Sequence, residues 1–278
     1  MQSLTIDVED YYSIVVRDRL GLEVTVSHHV DEEVARLLDF VDSLEIKATC
    51  FIVGRLARER PHIVREIAAR GHEIASHSYE HLLMSQLTPA GFADDLHRSI
   101  AVLESITGLR VTGFRAPAFS LREAQKWAFE IMAEQGIEYD SSVRLIWPIG
   151  RRAGESLIEC AAAAGIREYP GIALGCGRLS VPLAGGGGIR LVPEWITRLG
   201  VKLVEQNGIS TPIYIHPYDL AVEPEYEWPE AHVLKRARLA WFHSMQRRGR
   251  SKVRMRLSRA ARGRVLSGAS SYTSPRSR

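Results

Sequence analysis

The stretch His77-Ser78-Tyr79-Glu80-His81 carries two histidines four residues apart, directly after the short apolar run Glu73-Ile74-Ala75-Ser76. On a helical turn, side chains at positions i and i+4 point the same way, so both imidazoles would reach one metal ion. Histidine is the commonest metal ligand among protein side chains. A solvated or hydrogen-bonded histidine pair has the same spacing, so the choice between the two interpretations depends on the rest of the chain.

Strand-like and helix-like segments alternate on both sides of this stretch, which predicts a mainly parallel sheet. The predicted strands cover residues 4–8, 47–53, 72–76, 112–115, 137–142, 166–169 and 212–217, and the predicted helices cover residues 31–44, 61–69, 89–107, 122–135, 193–206 and 230–246. Residues between 143 and 165 are predicted to be irregular.

Polar side chains recur near the ends of these predicted strands. They are, in chain order, Asp7, His77, Arg115, Asp140 and His216. In α/β folds the carboxyl ends of the strands carry the chemistry. Five polar strand ends in order therefore predict a barrel whose top face holds a site.

The length and composition indicate one large core. The chain has 278 residues, of which 45% are hydrophobic, with no repeat and no long linker, so we predict one catalytic domain over residues 1–246. The absence of a run of 18 apolar residues argues against a transmembrane helix. Because Met1-Gln2-Ser3 leads straight into a strand-like run, we expect no signal peptide. An odd, sparse set of three cysteines suits a reducing compartment, and we expect a cytoplasmic protein.

The net charge of +3 is divided unevenly along the chain. Residues 247–278 hold eleven Lys and Arg and no acid. Removing those eleven from the 36 basic residues leaves 25 against 33 acidic ones, so residues 1–246 carry a net charge of −8. We interpret the basic tail as disordered, with peripheral contact with anionic lipid or another polyanion as the alternative. We expect no nucleic-acid partner.

Taken together, five segments resemble the motifs of the NodB-type polysaccharide deacetylases, carbohydrate esterase family 4. They are Thr5-Ile6-Asp7-Val8-Glu9-Asp10 in place of a Thr-Phe-Asp-Asp motif, His77-Ser78-Tyr79-Glu80-His81, Arg115-Ala116-Pro117-Ala118-Phe119, a weaker motif from Asp140, and Ile213-Tyr214-Ile215-His216. The resemblance runs from about residue 4 to about residue 220. It implies a single-domain distorted (β/α) barrel of the NodB homology type.

The resemblance is closest to the branch found with exopolysaccharide and exosortase gene clusters. That branch shares the Asp-Val-Glu-Asp form, a glycine-rich loop such as Ala184-Gly185-Gly186-Gly187-Gly188, and an Ile-His-Pro fifth motif. It implies a metal-dependent hydrolase that removes N-acetyl groups from sugars of an exopolysaccharide or its precursor.

The first motif departs from the family pattern, because Val8 separates Asp7 from the next acid. Residues two apart in a strand share a face, so Asp7 and Glu9 can both point into the site. Asp10 then points the other way unless the strand ends early. Glu9 is the predicted acidic ligand, and Asp10 is the alternative.

The family resemblance implies a role for each remaining site residue. Glu9, His77 and His81 would hold a divalent metal ion, with zinc expected. Asp7 would be the base, Arg115 would hold Asp7 ionised, and His216 would protonate the leaving amine. Phe119, Asp140 and Tyr218 are the candidate substrate-binding residues. Asp140 either orients His216 or caps a turn, and aromatic residues, including Tyr11 and Trp147, suit core packing equally well.

Two other functions remain open at this point. One is an amidohydrolase acting on a small cyclic amide, as in allantoinase-like relatives of this fold. The other is a catalytically inactive carbohydrate-binding relative that has lost its metal. The presence of Asp7, both motif histidines and His216 counts against the inactive relative.

Overall fold

Seven short parallel strands form the main sheet of the computed structural model. The structure describes residues 3–148, 151–176, 179–206, 208–221 and 248–260, together with residues 228–229, 237, 239–241, 243–244 and 266. The strands are β1 (Leu4–Val8), β2 (Thr49–Ile52), β3 (Glu73–Ser76), β4 (Gly113–Phe114), β5 (Tyr139–Asp140), β7 (Arg167–Glu168) and β10 (Ile213–Ile215). Their order is β10-β1-β2-β3-β4-β5-β7, and every pairing is parallel.

A smaller sheet and a set of helices complete the described architecture. The smaller sheet contains β6 (Arg144–Pro148), β8 (Gly171–Cys176) and β9 (Leu179–Pro182). The helices are α1 (Tyr11–Leu20), α2 (His29–Ser43), α3 (Gly54–Glu59), α4 (Pro61–Ala69), α5 (Pro89–Thr107), α6 (Ala128–Glu134), α7 (Arg151–Ala163), α8 (Gly186–Leu191), α9 (Glu194–Glu205) and α10 (Val253–Ala260). Single 3₁₀ turns cover Met84–Gln86, Pro117–Phe119, Glu123–Gln125, Pro217–Asp219 and Arg250–Lys252.

This architecture confirms the predicted single-domain α/β fold, in which the curled sheet forms a distorted half-barrel surrounded by helices. The main core packs the apolar face of α2 against strand residues such as Ile6 and Cys50. Helical periodicity predicted that face from Val34, Leu37, Leu38, Val41 and Leu44; the first four side chains are buried, and Leu44 is partly buried against the core. The burial of these side chains stabilises the packing of α2 against the sheet.

The carboxyl ends of neighbouring strands bring the predicted polar residues to one edge. β1 lies between β10 and β2, and its residues Leu4 and Ile6 pair with Ile213 and Ile215. This register places the residue that follows β10, His216, beside the end of β1. The order of the sheet therefore joins residues that are more than 200 positions apart in sequence.

Part of the region that was predicted to be irregular forms regular secondary structure. Residues 144–148 form β6 and residues 151–163 form α7, so the prediction was wrong there. Among the described side chains of α7, Leu157 and Ala161 are the fully buried apolar ones, which makes a weak periodic pattern. The predicted helix over residues 122–135 is also shorter, a 3₁₀ turn followed by α6.

The described part of the predicted disordered tail contains an ordered helix. α10 buries Val253 and Leu257 completely in the main core. Nη1 of Arg256 donates to the backbone oxygens of Ile189 at 2.7 Å and Val192 at 2.6 Å. Two buried apolar side chains, and the contact of the Arg256 cation with the carboxyl end of α8, fix α10 in place. Composition alone did not predict this helix. The domain boundary after residue 246 stays a prediction.

Two further predictions concern helices late in the chain. The helix predicted over residues 230–246 falls largely outside the described residues. None of the helices in the described ranges has the length and apolar character that a membrane span requires.

The glycine-rich run Ala184-Gly185-Gly186-Gly187-Gly188 begins α8 and packs against backbone. A Cβ on Gly188 would lie 1.7 Å from the carbonyl oxygen of Pro182, and a Cβ on Gly185 would lie 2.3 Å from the carbonyl oxygen of Tyr214. These positions need glycine because another strand passes too close for a side chain. The glycines therefore serve close packing inside the fold.

We expect Gly188→Ala to lower the free energy of unfolding by about 3 kcal/mol, because the backbone at Pro182 must move. Gly187→Ala is the matched control. Its Cβ would meet nothing closer than Nη2 of Arg190 at 3.8 Å, so the change should stay within about 1 kcal/mol and favour the helix. Urea denaturation measures both, and equal midpoints for the two variants would contradict the packing explanation.

Candidate metal centre and catalytic groups

Three side chains with metal-binding atoms converge at the carboxyl ends of β1 and β3. Glu9 follows β1, and His77 and His81 follow β3. Oε2 of Glu9 lies 2.9 Å from Nε2 of His81 and 3.8 Å from Nε2 of His77. One ligand-type atom from each residue lies within 4.8 Å of the other two. Two imidazoles and one carboxylate form the set that catalytic zinc sites use, with a coordination position left open.

The surroundings of these ligands suit a divalent cation. Nδ1 of His77 lies 2.8 Å from the backbone oxygen of Arg115, which assigns its proton to that nitrogen and leaves the Nε2 lone pair facing Glu9. Burial lowers the pKa of His77 to about 4 and so keeps the imidazole neutral. Burial alone would raise the pKa of Glu9, but the charge and hydrogen bond of His81 bring it to about 2. Both groups are therefore in the protonation state that metal binding needs.

The structure distinguishes between Glu9 and Asp10, the two candidates for the acidic metal ligand. Asp10 is the N-cap of α1, and its Oδ2 accepts the backbone N–H of Ser13 at 3.0 Å and of Ser27 at 2.9 Å. Glu9 points toward the histidines. The alternation of side chains along β1 thus directs Glu9 into the cluster and Asp10 away from it.

The loop that carries the histidines is not a helical turn. Ser78 has φ +67° and His81 has φ +56°, in the left-handed region that non-glycine residues seldom occupy. The helical explanation for the four-residue spacing was therefore wrong. The two imidazoles meet because tertiary contacts hold this loop in an unusual conformation.

Asp95, on α5, holds the loop from one side. Its buried carboxylate accepts the hydroxyl of Ser78 at 2.7 Å and the backbone N–H groups of Tyr79 at 2.8 Å and Glu80 at 3.0 Å. Sequence analysis missed Asp95, which is one of two adjacent acids on a helix and has no local motif around it.

Arg17, on α1, holds the same loop from the other side. Its guanidinium donates to the backbone oxygens of Glu80 at 2.5 Å and His81 at 3.0 Å. The carboxylate of Asp95 therefore accepts hydrogen bonds from N–H groups of the loop, and the guanidinium of Arg17 donates to its carbonyl groups. Because α1 follows Glu9 directly, Arg17 also ties the carboxylate ligand to the histidine loop.

Asp7 and Arg115 form a buried ion pair beside the cluster. Nη1 of Arg115 donates to Oδ1 of Asp7 at 2.6 Å and to Oγ1 of Thr5 at 3.0 Å. Nη2 donates to Oγ of Ser141 at 2.8 Å, and the guanidinium carbon lies 4.1 Å from the centre of the Phe51 ring. The predicted pairing of these residues is present in the structure. Four neighbours hold Arg115, so Asp7 has one defined orientation.

His216 lies across from Asp7 and is held by Asp219. Nδ1 of His216 lies 3.1 Å from Oδ2 of Asp219, which also accepts the backbone N–H of His216 at 2.9 Å. Nε2 lies 3.9 Å from both Oδ2 of Asp7 and Oε1 of Glu9. Burial by itself lowers the pKa of His216, but the hydrogen bond to Asp219 and the charges of Glu9, Asp219 and Asp7 raise it to about 9. The imidazole is therefore cationic at neutral pH.

The orienting partner of His216 is Asp219, not Asp140. Asp140 is fully buried, and its oxygens accept the hydroxyl of Ser142 at 2.5 Å and the backbone N–H of Ser142 at 3.1 Å. Oγ of Ser142 in turn accepts the backbone N–H of Ala116 at 2.7 Å. Asp140 therefore positions the backbone that follows Arg115. The sequence signal for Asp219 was its place three residues after His216, across a Pro-initiated turn.

Glu168 is a second buried acid behind this network. Burial and the charge of Asp140 raise the pKa of Glu168 well above its usual range, and burial also raises the pKa of Asp140. The charge of Asp140 therefore disfavours ionisation of Glu168. Sequence analysis did not single out Glu168.

The aromatic candidates differ in their surroundings. Phe119 is buried, 4.8 Å from the ring of Tyr214, and packs below the Arg115 guanidinium. Tyr218 stacks on His216 at 4.7 Å with an interplanar angle of 14° and lies 5.0 Å from the ring of Tyr11. The side chain predicted at position 147 lies outside the described ones. Phe119 thus packs in the interior of the protein, whereas Tyr218 lies against His216 in the candidate site.

A groove of about 390 Å³ opens onto the cluster. Its lining includes the ligands Glu9 and His81, the rings of Tyr11 and Tyr218, and the polar side chain of Gln86. Glu9 and His81 connect this groove with the candidate cation site, and Nε2 of His216 lies 3.9 Å from both Glu9 and Asp7. Such an arrangement can activate water against a carbonyl group and give a proton to the departing group.

Two family models and several known proteins match parts of this chain. Residues 23–139 match the family model described as polysaccharide deacetylase, and residues 149–259 match one described as a domain of unknown function, DUF3473. The chain is 36% identical over 112 residues to a peptidoglycan deacetylase-like protein, FGM2, of Gibberella zeae, which covers 40% of this chain and 32% of that protein. It is 30% identical over 96 residues to a peptidoglycan-N-acetylglucosamine deacetylase of Bacillus cereus, covering 34% and 35%. The chain therefore spans about a third of the length of these relatives.

A solved structure supports the fold over almost the whole chain. A protein of Mycobacterium smegmatis assigned to the polysaccharide deacetylases superposes with a TM-score of 0.53 and 20% sequence identity. The superposition covers 95% of this chain and 92% of that one. The two chains share a fold at this level of identity.

We expect Arg17→Met to weaken zinc binding about 10- to 100-fold, the usual effect of losing a group that orients a ligand. The variant keeps an unbranched stem but leaves the carbonyl groups of Glu80 and His81 without their donor. Competition between the metal-free protein and a chromophoric chelator measures the affinity. Arg36→Met, on the exposed face of α2, is the matched control, and equal affinities for the two variants would refute the role of Arg17.

We expect Asp219→Asn to lower the pKa of His216, because the variant loses the charge that offsets burial. The ring resonances of His216 in the metal-free protein report this pKa by NMR, with Asp18→Asn as a control. The folded-state pKa of about 9 lies above the reference value of 6.5, so the pair stabilises the fold below that reference and loses its effect as pH rises through about 9. An unchanged pKa in Asp219→Asn would contradict this assignment.

Proposed function

Because this chain belongs to the NodB-type polysaccharide deacetylases, carbohydrate esterase family 4, we propose that it is a metal-dependent hydrolase that removes N-acetyl groups from sugars. One observation carries the proposal: the Glu9-His77-His81 cluster lies beside the ion pair of Asp7 with Arg115 and beside His216, whose Nε2 is 3.9 Å from both Asp7 and Glu9. Amide hydrolysis needs an activated water, a polarised carbonyl and a proton for the leaving nitrogen, and these groups can provide all three.

Glu9, His77 and His81 are the proposed ligands, with zinc as the expected metal. Such an ion, when bound, supplies Lewis acidity that polarises a carbonyl and lowers the pKa of water. Glu9 contributes one negative charge and the histidines none, so the site keeps a net positive charge for the oxyanion that develops.

Asp7 is the proposed general base. Its Oδ1 is bound by Arg115 at 2.6 Å, whereas Oδ2 points toward His216 across 3.9 Å. The guanidinium fixes the orientation of the carboxylate, which leaves the second oxygen available to the proposed water.

His216 is the proposed general acid. Its Nδ1–H donates a hydrogen bond to Asp219, so the Nε2 proton faces the space in front of Asp7 and Glu9. In the metal-free protein the pKa of about 9 keeps that proton in place at neutral pH, and the leaving nitrogen would take it during the reaction. His216 and Asp219 both fall within residues 149–259, so the region described as a domain of unknown function supplies the acid.

The proposed substrate is an N-acetylated sugar of an exopolysaccharide or its precursor. The rings of Tyr11 and Tyr218 suit the apolar faces of a pyranose, which supports a carbohydrate ligand. The choice of an exopolysaccharide rests on the resemblance of the Asp-Val-Glu-Asp form and the glycine-rich run to the branch found with exopolysaccharide gene clusters. A cytoplasmic location stays part of this proposal.

The test is acetate release from N-acetylglucosamine oligosaccharides by the zinc-loaded chain. We expect Asp7→Asn to retain one metal ion per chain and to lose at least about 10²-fold in turnover, because the base is gone. His77→Gln should lose the metal as well as the activity. His62→Gln, which changes an exposed histidine of α4, should alter neither property.

The outcomes separate the alternatives. Hydrolysis of a small cyclic amide with no acetate release from any N-acetyl sugar would favour the allantoinase-like function. Full metal occupancy in His77→Gln would remove the basis of the proposed centre.

A further inference from the structure

α9 presents a stripe of apolar and basic side chains to solvent. Trp195 is 68% exposed, and Leu199, one turn later, is 42% exposed. Arg198 and Lys202 are also exposed and follow Trp195 by three and seven positions, which places them on the same face. Leu191, at the end of α8, is 48% exposed. Soluble helices usually bury such large apolar residues, whereas this stripe mixes them with cations.

α10 extends this stripe. Met255 is 48% exposed, with exposed Lys252 and Arg259 three positions before it and four positions after it. Nη1 of Arg259 lies 3.4 Å from Oε2 of Glu194, the first residue of α9, so the two helices adjoin. Arg198 also binds Glu194, at 2.5 Å. The acid between the two helices is therefore neutralised by two guanidinium groups.

A cavity of about 270 Å³ lies between α9 and α10. Buried Ile189, Val201 and Ile213 give it an apolar lining, and exposed Lys202 and Arg259 are among the basic residues that reach it. Four basic and two acidic side chains line it in all. An apolar interior beside cations matches the two parts of an anionic amphiphile.

We propose that this surface docks onto an anionic lipid bilayer. It is defined by the apolar residues Leu191, Trp195, Leu199 and Met255 and the basic residues Arg198, Lys202, Lys252 and Arg259. Tryptophan favours the headgroup level of membranes, leucine and methionine enter the acyl boundary, and basic side chains are attracted by the negative surface potential.

The positive charge of the C-terminal segment of this chain favours a membrane over a protein partner. The eleven basic residues at positions 247–278 include those of α10 and come with no acid. The cores of protein interfaces are depleted in lysine, whereas this surface includes the exposed side chains of Lys202 and Lys252. A reversible membrane contact needs two contributions, apolar insertion and charge attraction, and this surface offers both.

The test is sedimentation of the full chain with vesicles of phosphatidylcholine, with or without phosphatidylglycerol. We expect binding only to the anionic vesicles, weakened by salt. The double variant Trp195→Ser with Leu199→Ser and the single variant Lys202→Glu should each lower the partition coefficient by about tenfold. Both variants change exposed positions, and thermal melting checks that they remain folded.

Matched controls lie elsewhere on the molecule. Trp241→Ser changes another tryptophan with 67% exposure, and Arg65→Glu reverses an exposed charge on α4, so both should bind vesicles like the unmodified chain. Equal binding to neutral vesicles, or normal binding by the α9 variants, would overturn the proposal. A dimer in gel filtration that the Trp195 and Leu199 changes dissociate would also overturn it. Acetate release from soluble oligosaccharides should not change, which separates this test from that of the catalytic function.

Discussion

The buried guanidinium of Arg115 is the charge around which the catalytic edge is organised. A fully buried cation costs several kcal/mol unless anions and hydrogen-bond acceptors surround it. Asp7 and Thr5 supply them from β1 and Ser141 from the end of β5. The requirement to satisfy one cation therefore fixes three strand ends relative to one another and gives the base its orientation.

The candidate site combines two parts of the chain that are far apart in sequence. Residues 23–139 contain His77, His81 and Arg115. Residues 149–259 contain His216 and Asp219. Glu9 and Asp7 precede both ranges. The parallel pairing of β10 with β1 joins these parts, because it places His216 beside Asp7. The region of unknown function is thus a structural part of the same barrel.

Local periodicity predicted the seven strands of the main sheet, helices such as α2, α4, α5 and α9, the polar strand ends and the choice of Glu9 over Asp10, since each depends on a pattern within a few residues. The supporting contacts were not predictable in this way. Asp95 contacts a loop about 15 residues earlier in the chain, and Arg17 contacts a backbone 64 residues later. Such contacts depend on how the helices pack and leave no pattern in the sequence nearby. The sequence left open whether Asp140 orients His216 or caps a turn, and the structure shows contacts of Asp140 with Ser142 and of His216 with Asp219.

The strained histidine loop has a consequence for how the protein matures. Its backbone is held by Asp95 and Arg17, and by Gly54 and Arg55, which donate to the carbonyl groups of Ser78 and Tyr79. All of these supports are protein groups. The positions of these side chains are therefore set by the folding reaction, and the proposed metal ion would bind at a site that is already formed. Folding would then not require the metal, and the ion could be supplied after the chain has folded.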